Sequence, residues 1–314
     1  MVEVSNANRV VFPEVNRTKG DVVNYYERIA PRALPHVVDR PLSIRRYPKG
    51  LAGPGFFQKN VPKHYPDSIR RFSVPRSEAA TKKHPQVEGK DQNVTMYPLV
   101  STAEHLAYLA NQGALELHVP TARASDLWRP DRLVIDLDPP PGAFDLVRRA
   151  AQLTRDALGE AGLPTVPVVT GSKGYHLVAA IQPSLEVDAI ALAVQRFAAL
   201  IAAEHPDVFT TVFRIALRQG KVFVDWMRLG LASVVAPYSL RATPRATVAA
   251  PITWGEIETT NPDSFAIDDV DRLLDRPDSV SDLPPTDPQR FVGAMELAFE
   301  KSGLVLEPFD RFRS

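Results

Sequence analysis

The chain has 314 residues, 44% hydrophobic and 24% charged, with 37 Lys/Arg balanced by 37 Asp/Glu. This is a globular composition without any run of about 18 apolar residues, so it excludes a disordered, collagenous or fibrous chain and a membrane-spanning helix. Zero cysteines exclude disulfides, thiol catalysis and thiolate metal sites; with no signal-peptide pattern at Met1–Asn6, a reducing cytoplasm is the expected compartment.

In chain order, Thr18 caps an expected helix over 19–30, with Val22, Val23, Tyr26 and Ile29 at helical spacing. Residues 40–95 are rich in glycine and proline and read as short strands and loops. Within 40–90, twelve Lys/Arg stand against three acids, a net charge of +9, with Tyr47, Phe56, Phe57, Tyr65 and Phe72 interleaved. Such a stretch suits a polyanion that also stacks, such as nucleic acid, although a solvated basic face is the plainer alternative. Ser101-Thr102-Ala103-Glu104 reads as a capping box opening a helix that stops at Gly113. A short strand over 115–119 carries His118.

From Arg132 the pattern changes. Residues 133–138 read as a buried strand ending at three prolines, followed by a helix over about 143–161 closed by Gly162. Strands are expected over 166–169, 175–181, 221–226 and 233–237, with a long Ala/Leu-rich helix over 186–204. Two helical patterns, near 268–274 and 288–301, close the chain in a segment where 255–290 carries a net charge of −7. Mixed strands and helices predict an α/β or α+β fold.

Three motifs carry chemistry. In Asp136-Leu137-Asp138 the strand period points both carboxylates to one face, where they repel unless a cation lies between them. Oxygen ligands of this kind suit Mg²⁺ or Mn²⁺. A turn-capping Asp138 and a solvent-facing Asp136 are the bland alternative, disfavoured by the apolar run before them. Asp225 ends the apolar run Val222-Phe223-Val224 and needs a partner: either it joins the other two acids, or it pairs with Arg218 or Lys221. Thr170-Gly171-Ser172-Lys173-Gly174-Tyr175-His176 combines glycines, a hydroxyl and an amine that together suit a phosphate, without the spacing of a Walker A loop. A hairpin turn with an exposed lysine is its alternative.

These motifs, in this order, resemble the polymerase domain of bacterial LigD, within the archaeo-eukaryotic primase (primase-polymerase) superfamily. The resemblance also rests on 236–241 (APYSLR), 55–60 (GFFQKN), 116–120 (ELHVP), 11–13 (VFP) and 18–21 (TKGD), and it covers about residues 8–300. It implies a core with an RRM-like mixed sheet flanked by helices, plus an N-terminal α/β subdomain. One polymerase domain over 1–314 is expected: a basic DNA-end and template part (1–125), a catalytic part (126–255), and an acidic linker with C-terminal helices (256–314).

The resemblance further implies that Asp136, Asp138 and Asp225 hold two Mn²⁺ or Mg²⁺ ions, with Asp225 near the primer 3′-hydroxyl. Ser172, Lys173, His176, Arg218 and Arg241 would hold the triphosphate, His118 the sugar, and Arg46 the nucleotide or template. Phe56 or Phe57 would stack on a template base, Lys59 would contact DNA, and Lys19 with Arg28 would bind a downstream 5′-phosphate. The implied activity is template-directed addition of nucleotides, ribonucleotides in preference, at short gaps or broken ends in DNA repair. Gapped or recessed DNA and nucleoside triphosphates are the implied partners, with a separate DNA ligase and Ku, in the nucleoid. The chain departs from the multidomain protein in having no Lys-x-Asp-Gly ligase motif, and from many relatives at Met227-Arg228, where they carry Ser-Gln. A haloacid-dehalogenase-type phosphatase and a catalytically idle end-binding module are the rival readings. The first does not explain the +9 stretch, and the second has no need of three acids.

Overall fold

In the computed structural model, which describes residues 3–75, 94–306 and 308, β1 (Val10–Phe12) and β2 (Arg17–Thr18) pair and deliver the chain into helix α1 (Lys19–Val37). Thr18 and Asp21 form a reciprocal cap: the Thr18 backbone N–H donates to Asp21 at 2.7 Å, and the Asp21 N–H donates to Thr18 Oγ1 at 3.2 Å. The helix runs seven residues past the expected end at Ala30, through Pro31 and Pro35. Each proline removes one intrahelical donor. Tertiary burial of Ala33, His36 and Val37 outweighs that loss, and Arg32 is tied to the Leu274 carbonyl.

Next come β3 (Ser43–Arg46), β4 (Phe56–Gln58), β5 (Arg70–Pro75) and β6 (Val94–Leu99). Part of the basic stretch, with Arg76, Lys82, Lys83 and Lys90, lies outside the described residues. Helix α2 (Ala103–Asn111) packs on α1. Its cap is Thr102, one residue later than the expected capping box would start: Thr102 Oγ1 accepts from the His105 N–H, and His105 Nδ1 accepts from the Ser101 N–H, each at 3.2 Å. His105 thus takes the place that Glu104 was expected to fill. Strand β7 (Ala114–Val119) pairs with β3, and β4 and a later short strand flank them in a four-stranded sheet.

The second sheet starts with β8 (Arg132–Asp138), whose Leu133, Val134, Ile135 and Leu137 are all buried, as in a strand covered on both faces. Helix α3 (Phe144–Glu160) lies against it and ends at Gly162, a left-handed turn at φ 81°. Then follow β9 (Val166–Val169), β10 (Tyr175–Ala180), α4 (Val187–Glu204), β11 (Phe209–Thr210), β12 (Val222–Asp225), β13 (Val234–Val235) and β14 (Ala250–Pro251). The strand order is β11-β12-β8-β10-β9-β14, mixed because β11 and β12 are parallel while the other pairs are antiparallel; β13 joins the first sheet beside β7. Helices α5 (Val270–Asp275) and α6 (Pro288–Ser302) close the chain against α1 and α4 respectively. The fold is mixed α+β; among the described residues a large apolar core runs from Val11 to Met295, with a small second cluster at Val74, Tyr97 and Leu127. Among the described residues no helix is long and apolar enough to cross a membrane.

Between α1 and the C-terminal segment, His36 is fully buried with Nε2 2.7 Å from Asp278 Oδ2, while its Nδ1 is buried without a partner. Protonating the ring would create an orphan N–H, and burial lowers the His36 pKa. The unfolded chain therefore takes up this proton on acidification before the folded chain does. Stability from His36 is fully present above the ordinary histidine value and lost as the pH falls below it, by at most about 1.4 kcal/mol per pH unit. Thermal melts between pH 8 and 5 should show a shallower acid limb for His36→Gln than for the wild type. Equal slopes would mean that His36 does not titrate differently on folding.

Candidate active site

The register of the six-stranded sheet assembles what the sequence left in separate motifs. His176 on β10 pairs with Asp136 on β8, and Asp136 pairs in turn with Asp225 on β12. Directly paired residues share a face, so His176, Asp136 and Asp225 form a row across three strands. Asp138, two residues along β8, lies on that same face beside the row. Asp225 thus joins the other two acids.

Each carboxylate meets a cation. Asp138 receives Lys173 Nζ at 2.7 Å on Oδ1 and Arg218 Nη1 at 2.6 Å on Oδ2. Arg228 bridges Asp136 (Nε to Oδ2, 3.1 Å) and Asp225 (Nη2 to Oδ2, 2.8 Å). The alternative partners for Asp225 are corrected accordingly: Arg218 lies over the Phe223 ring, and Phe223 is opposite Asp138 in register, so its fork reaches Asp138 and not Asp225. Burial raises the pKa of Asp136 and of Asp225, with Arg228 opposing it in both. His176, 3.7 Å from Asp136, is pushed down to about 3 by burial and by the charges of Arg228 and Arg241, and is neutral.

The turn between β9 and β10 holds Ser172 half-buried and sends Lys173 to Asp138. The turn is closed by Thr170, whose N–H and Oγ1 both donate to the Gly174 carbonyl, at 3.1 and 2.9 Å. A Cβ on Gly174 would lie 2.0 Å from the Leu137 carbonyl oxygen, so only glycine lets the turn lie this close to β8. Arg241 Nη1 donates to the Thr170 carbonyl at 2.8 Å, and its Nε is 3.6 Å from Glu116 on β7. Arg241 therefore ties the turn to the other sheet.

Between the two sheets opens a cleft of about 430 Å³ lined by Phe57, Lys59, His118, Asp136, His176, Arg228 and Arg241, among others. His118 Nε2 bonds Glu116 at 2.9 Å. Burial opposes ionisation of Glu116, but the hydrogen bond from His118, the charge of Arg241 and the Ala242 N–H bring its pKa down to about 2. Burial lowers the pKa of His118 despite this carboxylate. Glu116 and Arg228 are site residues that sequence reasoning did not assign. Glu116 was signalled by its alternation with His118 on one strand face. Arg228 stood out in the sequence only as a departure from many relatives.

At the rim, Phe56 and Phe57 are 48% and 57% exposed, which excludes a core role. Arg46 stacks on Phe56 and Arg45 on Phe57, and the Arg46 Nε donates to the Gln112 carbonyl at 2.8 Å. Lys19 and Arg28 line no part of the cleft. Lys19 is buried rather than an exposed helix-start lysine, because its ammonium donates to the Ser5 carbonyl and Oγ at 2.7 and 2.8 Å. Arg28 is paired with Asp271.

Among the described residues no three acids or histidines converge on a point that would hold an ion as the side chains stand. The donor set nonetheless fits hard divalent cations: three carboxylates share one face, and cationic side chains occupy the spaces beside them.

Residues 18–280 match the family described as LigD, primase-polymerase domain. The multifunctional non-homologous end joining DNA repair protein LigD of Mycobacterium tuberculosis (H37Rv) is 34% identical over 279 residues, 86% of this chain and 35% of that protein. The LigD of Mycolicibacterium smegmatis is 33% identical over 286 residues, 90% of this chain and 35% of the relative. This chain thus spans about a third of the length of these curated relatives. The polymerase domain of Mycobacterium tuberculosis ligase D, solved in complex with DNA, superposes with a TM-score of 0.76 at 32% identity, covering 90% of this chain and 98% of that one. Fold and site together define a nucleotidyltransferase of the metal-dependent primase-polymerase type. The chain belongs to the LigD primase-polymerase domain family, which removes the phosphatase alternative.

Proposed function

We propose that this chain extends primer 3′ ends at short gaps or broken ends of DNA under template direction, with ribonucleotides preferred, in non-homologous end joining or gap repair. The observation that carries the reading is the row His176–Asp136–Asp225 with Asp138 beside it, opening onto a cleft that also contains Lys59, His118 and Arg241. The names of the relatives support end joining as the pathway, and the DNA-bound polymerase domain supports the substrate. One polymerase unit over 1–314, with basic, catalytic and acidic C-terminal parts, belongs to the same reading.

Asp136, Asp138 and Asp225 are the residues that would hold two Mn²⁺ or Mg²⁺ ions. Such ions activate the attacking hydroxyl and neutralise the leaving phosphate. Ser172, Lys173, His176, Arg218 and Arg241 bind and orient the triphosphate, with Lys173 and Arg218 exchanging Asp138 for phosphate oxygens. His176 offers a ring N–H to a phosphate oxygen. His118 faces the sugar, where a hydrogen bond made only by a 2′-hydroxyl is worth about 1 kcal/mol. Phe56 or Phe57 stacks on the template base at roughly 1–3 kcal/mol, beside Arg46 and Lys59. Lys19 and Arg28 serve a downstream 5′-phosphate after giving up Ser5 and Asp271. A nicked product calls for DNA ligase activity to seal it, with Ku at broken ends.

The test is extension of a labelled primer on a short gapped duplex, with ribo- and deoxyribonucleotides, Mn²⁺ or Mg²⁺, and a downstream 5′-phosphate or 5′-hydroxyl at one fixed salt concentration. Extension is expected, at least as fast with ribonucleotides, with tighter binding to the 5′-phosphate gap. A strong deoxyribonucleotide preference removes the sugar assignment, and equal affinity for the two gaps removes the end-recognition role. Binding without extension under any condition would make the chain an end-binding module instead.

A further inference from the structure

Arg228 differs from the other cations of the site. Lys173 and Arg218 each touch one carboxylate, Asp138. Arg228 alone bridges two, from different strands, at 3.1 and 2.8 Å. A guanidinium fork across Asp136 and Asp225 fills, in charge and in place, the position that a cation shared by those carboxylates needs. Asp136 and Asp225 are 16% and 12% exposed and the fork holds Oδ2 of each, so a cation shared between the two cannot sit there while the fork stays. Arg228 itself is 36% exposed and lines the cleft, so it has open volume to turn into.

We propose that Arg228 has two positions: bridging Asp136 and Asp225 in the free protein, and turned into the cleft, against the phosphates of the incoming nucleotide, once those carboxylates take metal. The inference rests on the metal-dependent reading of the site given above. Its consequence is a coupling. Arg228 must surrender a charge-assisted hydrogen bond to Asp136 and an ion pair with Asp225 before the two carboxylates are free to share a metal, so the protein alone binds metal weakly. Nucleotide phosphates give the displaced guanidinium a second anionic partner, and a ligand shifts such an equilibrium only by a difference of this kind. The coupling is reciprocal: metal tightens nucleotide as much as nucleotide tightens metal. A cation whose charge is needed permanently for folding would give no such coupling.

The measurement is Mn²⁺ binding without DNA or turnover, by electron paramagnetic resonance of the free ion, on the full chain and on Arg228→Gln and Arg228→Lys. Each protein is titrated alone and with a non-hydrolysable ATP analogue, with a protein-free control for Mn²⁺ held by the nucleotide. Arg228→Gln should bind Mn²⁺ at least tenfold more tightly than the wild type in the absence of nucleotide, about 1.4 kcal/mol. Added nucleotide should tighten Mn²⁺ at least tenfold more on the wild type than on Arg228→Gln, with Arg228→Lys between them. Circular dichroism checks that the variants fold, and Arg228→Lys, which keeps the charge, serves if Arg228→Gln does not. Equal Mn²⁺ affinity in wild type and variants, or an equal gain from nucleotide, overturns the role of Arg228 while leaving the metal reading standing. No Mn²⁺ binding by any of the proteins, even with nucleotide, overturns the metal reading and this inference with it.

Discussion

Asp136→Asn and Asp138→Asn should each slow primer extension by at least 10³-fold, about 4 kcal/mol of lost transition-state stabilisation. The substitution keeps the shape of the side chain and removes the charge that a divalent cation requires. From the sequence, the expectation is that Asp→Ala relieves repulsion between acids. The ion pairs change that balance, because Arg228, Lys173 and Arg218 already neutralise the carboxylates. Removing Asp138 as alanine would strand Lys173 and Arg218, whereas asparagine still accepts a hydrogen bond. Asp136 has its pKa raised by burial, so its neutral analogue should leave thermal stability little changed. The check is single-turnover extension together with a thermal melt of each variant. Full extension by either would remove the carboxylate assignment.

Gly174→Ala should damage both fold and activity. The added Cβ meets the Leu137 carbonyl oxygen at 2.0 Å and Pro139 Cδ at 3.3 Å, and neither β8 nor the turn can yield alone. Overpacking of this kind costs about 1–3 kcal/mol. Leu137 lies between Asp136 and Asp138, so separating the turn from β8 moves Lys173 away from Asp138 and distorts the carboxylate pair. A displacement near 1 Å in such a site lowers the rate by about 10²-fold. Gly159→Ala is the control: it lies in the last turn of α3 with open space around its Cβ position, and should leave both quantities unchanged or raise stability slightly. Wild-type extension by Gly174→Ala would show that the close approach of turn and strand is not needed.

Local pattern carried a good part of this protein. The alternation and apolar runs place β8, β9, β10 and β12 within a residue or two of where they stand, and the strand period puts Asp136 and Asp138 on one face without further information. The same local signals mark Thr18 as a cap and Gly162 as a helix stop. They do less well where distant packing outweighs local preference. Helix α1 continues through Pro31 and Pro35 because Ala33, His36 and Val37 are buried against other elements. The cap of α2 falls on Thr102 because His105 supplies the acceptor for the Ser101 N–H.

The candidate site divides along the same line. Its residue types and their grouping into an acid pair, a phosphate-type turn and a lone acid are legible in the sequence, since each group spans only a few residues. Which groups meet is not, because strand register has a period of two and a shift by one residue turns a side chain to the opposite face. The pairing of His176 with Asp136 and of Asp136 with Asp225 makes one site of three motifs. Lys19, next to the helix cap, looks available from its position, yet Ser5, fourteen residues earlier, holds it. Arg228 lies three residues beyond Asp225, and only the return of the chain after β12 brings its fork across two strands. The sequence by itself determined the chemistry on offer and the elements that carry it. Tertiary structure decided the register, the partners of each charge and the cleft between the sheets, because those depend on contacts between residues far apart along the chain.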